Sequence, residues 1–304
     1  MKFHNLVLGL IALLALGIIL LAFSSADYSS LGSGLGGSKC VGVVPLEGEI
    51  VSEKGFAAGQ ISSADVVAAV EEANGNAEVS ALLLEINSGG GSAVASKEIY
   101  DALAESEKPV VAYIGEIGAS GAYYAASATD YVVANPNSIT GSIGARATIL
   151  NYEELFNKLG LRQENIKTGE LKDIGEGYRN LTGKERGLLQ ALLNETFENF
   201  RDDVKKGREG KLNNGLFNEL LDARVLSAKQ SLKAGLVDEI GSRKKALEKA
   251  AGLGKIKFEH AAEIRECELI QRNSLLDVLS SLSASFGRSV AYHLRASSAG
   301  VQYK

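Results

Sequence analysis

The sequence is poor in histidine, with three in 304 residues: His4, His260 and His293. None lies between Cys40 and Phe258, the stretch patterned as a folded domain. A Ser-His-Asp relay drawn from that domain is excluded, so a nucleophilic serine there needs another base. Cysteine is scarcer still. Cys40 and Cys267 have no His or second Cys at metal-ligand spacing and read as two unrelated thiols. Lys39, directly before Cys40, stands where a lipid-attachment signal would want a small residue. Basic charge is not in excess: 32 Lys and Arg against 37 Asp and Glu leave a net charge of −5. A nucleic-acid face, which is usually basic, is not expected.

What is present begins with one long apolar run. Leu6 to Phe23 is 18 residues without a charge. That is close to the length of a membrane span and longer than the apolar part of a secretory signal. Residues 1–23 are therefore expected to be a retained anchor, although Ala22-Phe23-Ser24 offers a small-x-small site for cleavage. Lys2 precedes the run and Asp27 follows it, which puts the N-terminus inside and the remainder outside. Residues 24–39 are rich in Ser and Gly and read as a flexible tether.

A domain is expected over 40–258, an α/β fold with a largely parallel sheet, because buried apolar runs alternate with helical periods. Strands are expected at Val41–Val51, Ala81–Ile86, Pro109–Ile114 and Tyr131–Ala134. Helices are expected after an N-cap at Ser63, then at Ser92–Glu105, Ser120–Ala128, Asn151–Leu159, Thr182–Lys206 and Arg243–Ala251, with a short helix and turn in Leu226–Gly241. Residues 259–304 read as an arm or tail with one amphipathic stretch, Leu275–Phe286.

Four segments carry chemistry at strand ends or in loops, where α/β folds place ligands. In Ile86-Asn87-Ser88-Gly89-Gly90-Gly91-Ser92 the glycines can aim bare N–H groups at an oxyanion or a phosphate, or simply make a tight turn. The segment matches neither the dinucleotide fingerprint nor the P-loop. In Gly118-Ala119-Ser120-Gly121-Ala122 a lone serine among small residues opens a helix, which suits a cap or a nucleophile. Ile139-Thr140-Gly141-Ser142-Ile143-Gly144 offers a hydroxyl that could orient an amine. In Thr168-Gly169-Glu170-Leu171-Lys172-Asp173-Ile174-Gly175, Lys172 is flanked by apolar residues, so part burial is plausible. A lysine base must be neutral near pH 7, which burial favours and the carboxylates of Glu170 and Asp173 would oppose if they faced it.

Together these segments resemble the signal peptide peptidase A family, Ser–Lys proteases of the ClpP/crotonase superfamily. INSGGGS, GASGAYY, ITGSIG, TGELKDIG and VLSAKQSLKAGLVDEIG occur in the family's order across roughly residues 40–250. The resemblance implies repeated β-β-α units and an N-terminal transmembrane helix. It implies Ser120 as nucleophile and Lys172, 52 residues on, as general base. Ser142 would orient the lysine, and Gly90 and Gly91 would form the oxyanion hole. The family usually has proline where Gly89 stands, so a less preorganised loop is expected here. The resemblance further implies a single-pass cell-membrane protein with its catalytic domain outside the cytoplasm. It implies a homo-oligomer that cuts signal-peptide remnants and other apolar peptides, with no metal or organic cofactor. The rival readings are a membrane protease trimming stomatin-like partners, a crotonase-type acyl-CoA enzyme, and a catalytically inactive oligomeric scaffold.

Overall fold

The computed structural model describes residues 38–55 and 59–270. The chain divides into two compact units, Met1–Ser38 and Lys39–Lys304, and the fold below is that of the second. The expected anchor at 1–23, nearly all of the tether and the amphipathic stretch Leu275–Phe286 lie outside the described residues. No helix among the described residues is long and apolar enough to cross a membrane.

The elements run β1 (Cys40–Val51), β2 (Gln60–Ser62), α1 (Ser63–Gly75), β3 (Val79–Gly91), α2 (Ala93–Ala104), β4 (Val110–Ala119) and α3 (Gly121–Ser127). They continue with β5 (Tyr131–Ala134), β6 (Ile139–Gly141), α4 (Glu153–Lys158), α5 (Gly183–Gly207), α6 (Asn214–Glu219), β7 (Val225–Ser227) and α7 (Ala228–Ala234). Then come β8 (Glu239–Ile240), α8 (Arg243–Leu253) and β9 (Glu266–Glu268). The sheet order is β2-β1-β3-β4-β5-β8 and its pairings are parallel, with β6 on β4, β9 on β1, and β7 the antiparallel partner of β6. The α/β class expected from the sequence is the class observed.

Strand alternation builds two cores. Leu82, Leu84, Ile86, Val110, Ala112 and Ile114 face the layer of α1, α2 and α3. Ala81, Leu83 and Val111 face the opposite side, where Ala246, Leu247, Ala250 and Ala251 of α8 cover them. Both faces are apolar because helices lie on both, so these strands read as continuous hydrophobic runs.

Three expectations are corrected. Cys40 and Cys267 are not unrelated thiols: they form a disulfide across 227 residues, with Cα atoms 6.0 Å apart. The pairing arises because β9 lies parallel to β1, with Gly42 opposite Cys267. The domain therefore does not stop at residue 258 but includes β9, tied on further by the bonds Val41 N–H to Arg265 O and Leu269 N–H to Val43 O. In addition, α1 is capped by Ser62 rather than Ser63. The Ser62 hydroxyl accepts from Asp65 N–H, while the Ser63 hydroxyl donates to Glu98.

Candidate active site

The fork in β4 makes the site. Val111–Ile114 pair with β5, but Ile117–Ala119 pair with β6, so the sheet splays at the carboxyl ends of β3, β4 and β6. Ser120 sits at the tip, between β4 and α3, with φ 53° and ψ −125°. A non-glycine residue with positive φ stores about 1–3 kcal/mol of strain that the surrounding fold must hold. Here it is held by the Ser120 N–H bond to Gly141 O and by the Tyr124 N–H bond to Ser120 O, both 2.9 Å. Ser120 occupies the N-cap position of α3, yet its side chain makes no capping bond. The cap explanation for this serine is thereby removed. The half-buried hydroxyl is left for other work.

The glycine loop packs directly on this turn. Gly90 has φ 97°, and a Cβ there would lie 2.6 Å from Gly121 N and 2.9 Å from Ser120 Cβ. A Cβ on Gly121 would lie 2.1 Å from Ser96 Oγ and 3.4 Å from Gly91 N. The two glycine segments therefore touch backbone to backbone beside the serine. The amide of Gly90, expected as an oxyanion donor, donates to Ser88 Oγ at 3.1 Å. That correction follows from Ser88 lying two residues back with its hydroxyl turned inward, where it also donates to Gly48 O. Gly91 is placed differently: its backbone nitrogen would lie 3.4 Å from a Cβ on Gly121, beside the turn that carries Ser120. Gly121, unremarked in the sequence as a donor, supplies one of the first amides of α3, which lack intrahelical acceptors by geometry. Its position directly after the serine is the signal that would have found it.

Ser142 is also brought in. The register sets Ala119 opposite Gly141, so Ser142 is the next residue along from Ser120's partner. It too has positive φ, 54°, and its N–H is fixed on Arg224 O at 2.9 Å.

Lys172 is not brought in. It is exposed, in a turn where its N–H reaches back to Gly169 O, and among the described residues its ammonium makes no hydrogen bond or ion pair. The part burial expected from Leu171 and Ile174 is absent because it is the next residue, Asp173, that turns inward, 4% exposed. Asp173 accepts from Lys167, Tyr178 and Arg179, and Arg179 in turn bonds Glu185 at 2.6 and 2.9 Å. The Arg179 guanidinium, then Lys167 and Tyr178, hold the Asp173 carboxyl well below the usual carboxylate range. Glu185 is held at about 2, first by Arg179 and then by Thr182 N–H, against the opposing effect of burial. The stretch around this turn is unusually apolar at its surface: Leu150, Leu155, Leu159, Leu161 and Ile166 are all exposed. Among the described residues no group of three or more His, Cys, Asp or Glu is placed to hold a metal ion.

A model of peptidase family S49 matches residues 102–257, which include Ser120, Ser142 and Lys172. The "Putative protease" of Methanocaldococcus jannaschii is 36% identical over 214 residues, 70% of this chain and 67% of that one. The "Putative signal peptide peptidase SppA" of Enterococcus faecium is 34% identical over 173 residues, 56% of this chain and 50% of that one. The chain thus spans between a half and two thirds of these relatives. Among solved structures, a mutant of a membrane-bound stomatin-specific protease has 17% identity and a TM-score of 0.47, covering 78% of this chain and 100% of that one.

Proposed function

Because this chain belongs to peptidase family S49, we propose that it is a membrane-anchored serine endopeptidase that degrades signal-peptide remnants and other apolar peptides through a Ser120–Lys172 dyad. The observation that carries the reading is Ser120 itself: a strained serine at a helix N-terminus that does not cap its helix, walled by glycine backbone. Neutral Lys172 takes the Ser120 proton, and Ser120 Oγ attacks the peptide carbonyl. The amides of Gly91 and Gly121 receive the oxyanion, while Gly90 contributes the space that a side chain would fill. The leaving amine takes a proton back from Lys172, and water then frees the acyl-enzyme. Ser142 accepts the lysine's hydrogen bond.

This reading requires Lys172 to meet Ser120 and to lose its solvent. Association of copies through the exposed apolar face at 149–166 would supply that shielding. The reading puts the catalytic domain outside the cytoplasm, and the Cys40–Cys267 disulfide supports this, since such bonds persist mainly in oxidising compartments.

The test is hydrolysis of an apolar fluorogenic peptide by the full chain in detergent, beside Ser120→Ala and Lys172→Ala. The expected outcome is cleavage by the unmodified chain alone, rising with pH as one amine deprotonates. Equal behaviour of all three proteins would remove the dyad and leave the inactive scaffold. Preference for a stomatin-like tail over free signal peptides would favour the partner-trimming protease.

A further inference from the structure

We propose that Asp173, Arg179 and Glu185 are positioning residues for Lys172, fixing the turn that presents its amine and keeping the adjacent carboxylates away from it. The proposal rests on the Ser–Lys reading above.

The turn carrying Lys172 lies in a stretch, 145–181, with little buried apolar surface of its own, yet it contains a buried ionic knot. Glu185, 2% exposed, belongs to the capping box of α5: Thr182 Oγ1 accepts from Glu185 N–H, and Glu185 accepts from Thr182 N–H. A helix of 25 residues thus anchors Glu185 firmly. Arg179 reaches from Glu185 to Asp173 with the same Nη2, at 2.6 and 2.7 Å. Lys167 and Tyr178 complete the shell around Asp173. The path therefore runs from the end of α5 through two ion pairs to the residue beside Lys172.

A buried ion pair is a poor stability device, since desolvation offsets most of its attraction, but it fixes geometry. Here the geometry has a chemical consequence. The charged and titratable groups around this turn are Lys167, Glu170, Asp173, Glu176, Tyr178 and Arg179 on the loop, Lys184 and Glu185 on α5, and Glu153, which bonds Asn180, on α4. The two carboxylates flanking Lys172 are both committed elsewhere, Asp173 as described and Glu170 to Lys184 at 3.1 Å. An unpaired carboxylate beside the amine would favour the ammonium form and raise its pKa, which is the wrong direction for a base. With Asp173 turned inward, its neighbour Lys172 projects outward, clear of both.

The experiment measures kcat/KM against pH for the full chain and for Arg179→Ala, Arg179→Lys, Glu185→Gln and the double change Arg179→Ala with Asp173→Asn. Arg179→Ala removes the strongest of the three partners of the Asp173 carboxylate and its tie to Glu185, leaving Lys167 and Tyr178, so the loosened carboxylate should raise the apparent pKa of the basic group by up to about one unit, with up to about a tenfold loss at pH 7. Arg179→Lys should retain most of the activity. The double variant should return the pKa to its original value, because the offending charge is gone; a merely structural role would not produce that recovery. If Arg179→Ala does not fold, Glu185→Gln carries the test with a smaller shift in the same direction. Losses without any shift, or a double variant no better than the single, overturn the proposal while leaving the dyad intact. Absence of Ser120- and Lys172-dependent hydrolysis in the unmodified chain overturns the Ser–Lys reading, and the positioning role falls with it.

Discussion

Replacing Cys40 and Cys267 by serine, or reducing them, should cost the domain a definite fraction of its stability. The bridge closes 227 residues and ties a three-residue strand, β9, to the edge of β1 opposite β3. Chain entropy alone sets a ceiling of about 5 kcal/mol for a loop of this length. The realised loss should be smaller, about 2–4 kcal/mol, because β9 can detach on its own and spare the rest of the sheet. After reduction β9 and the residue before it keep a few backbone bonds and the ion pairs of Arg265 with Glu78 and Arg243 with Glu266. For a domain of this size the loss corresponds to a fall in Tm of roughly 5–15 °C. The assay is thermal unfolding followed by circular dichroism, with and without reductant, after alkylation of the unreduced protein has been read by mass. Two alkylated cysteines before reduction, or superimposable melts, would refute the reasoning.

Gly90→Ala should leave the chain inactive and about 1–3 kcal/mol less stable, because φ 97° and a contact of 2.6 Å with Gly121 N leave no room for a Cβ; activity and urea unfolding check both. Ser120→Gly should abolish cleavage yet stabilise the fold by up to about 1 kcal/mol relative to Ser120→Ala, since glycine relaxes the positive φ; paired thermal melts decide it. Arg208→Ala should cost about 3–5 kcal/mol, because the fully buried guanidinium bonds Asp238 at 2.8 Å and Gly235 O, and its loss leaves a half-buried carboxylate without its main partner; denaturant midpoints measure this. Glu185 and Asp173 have folded pKa values below their usual ones, so their contribution is present above about pH 4.5 and is lost as pH falls towards 2. The Tm should therefore decline across that window, and Glu185→Gln should flatten the decline.

Much of the sheet was legible because its central strands are buried on both faces. Leu82-Leu83-Leu84 and Val110-Val111-Ala112 have no solvent side to interrupt them, and their apolar runs stand out. The short strands were not legible. Val225-Leu226-Ser227 and Glu239-Ile240 carry too few residues for a period, and they became strands only through β6 and β5. Glu266-Cys267-Glu268 reads as polar tail, and nothing local announces its pairing with a strand more than two hundred residues earlier. The site divided along the same line. Ser120, Ser142 and the glycine loop sit at ends of recognisable elements, so motif spacing located them. The exposure of Lys172 depends on which way one turn rolls, and that was set by Asp173's partners at positions 167, 178 and 179, the last of them held in turn by Glu185.

The disulfide and the exposed lysine bear on the proposed membrane-anchored arrangement: the compartment it would put the domain in, and the company the domain would keep there. In the proposed arrangement the span would end near residue 23, and the tether would deliver Cys40 some sixteen residues later. Cys40 opens β1, so an oxidising compartment would lock the start of the sheet to its last strand as the domain emerges. On the proposed reading, that lock suits an oxidising compartment beyond the cytoplasm, which is also where the charges around the expected span would put the domain. The lock fixes β1, β9 and the base of the sheet, at the opposite end of the domain's strands from Ser120. It therefore braces the scaffold without touching the stretch at 145–181. That stretch keeps its apolar side chains and Lys172 in solvent. If the proposed dyad is completed by association of copies of this chain, dilution below the association threshold should extinguish hydrolysis while the Cys40–Cys267 bond and the fold survive.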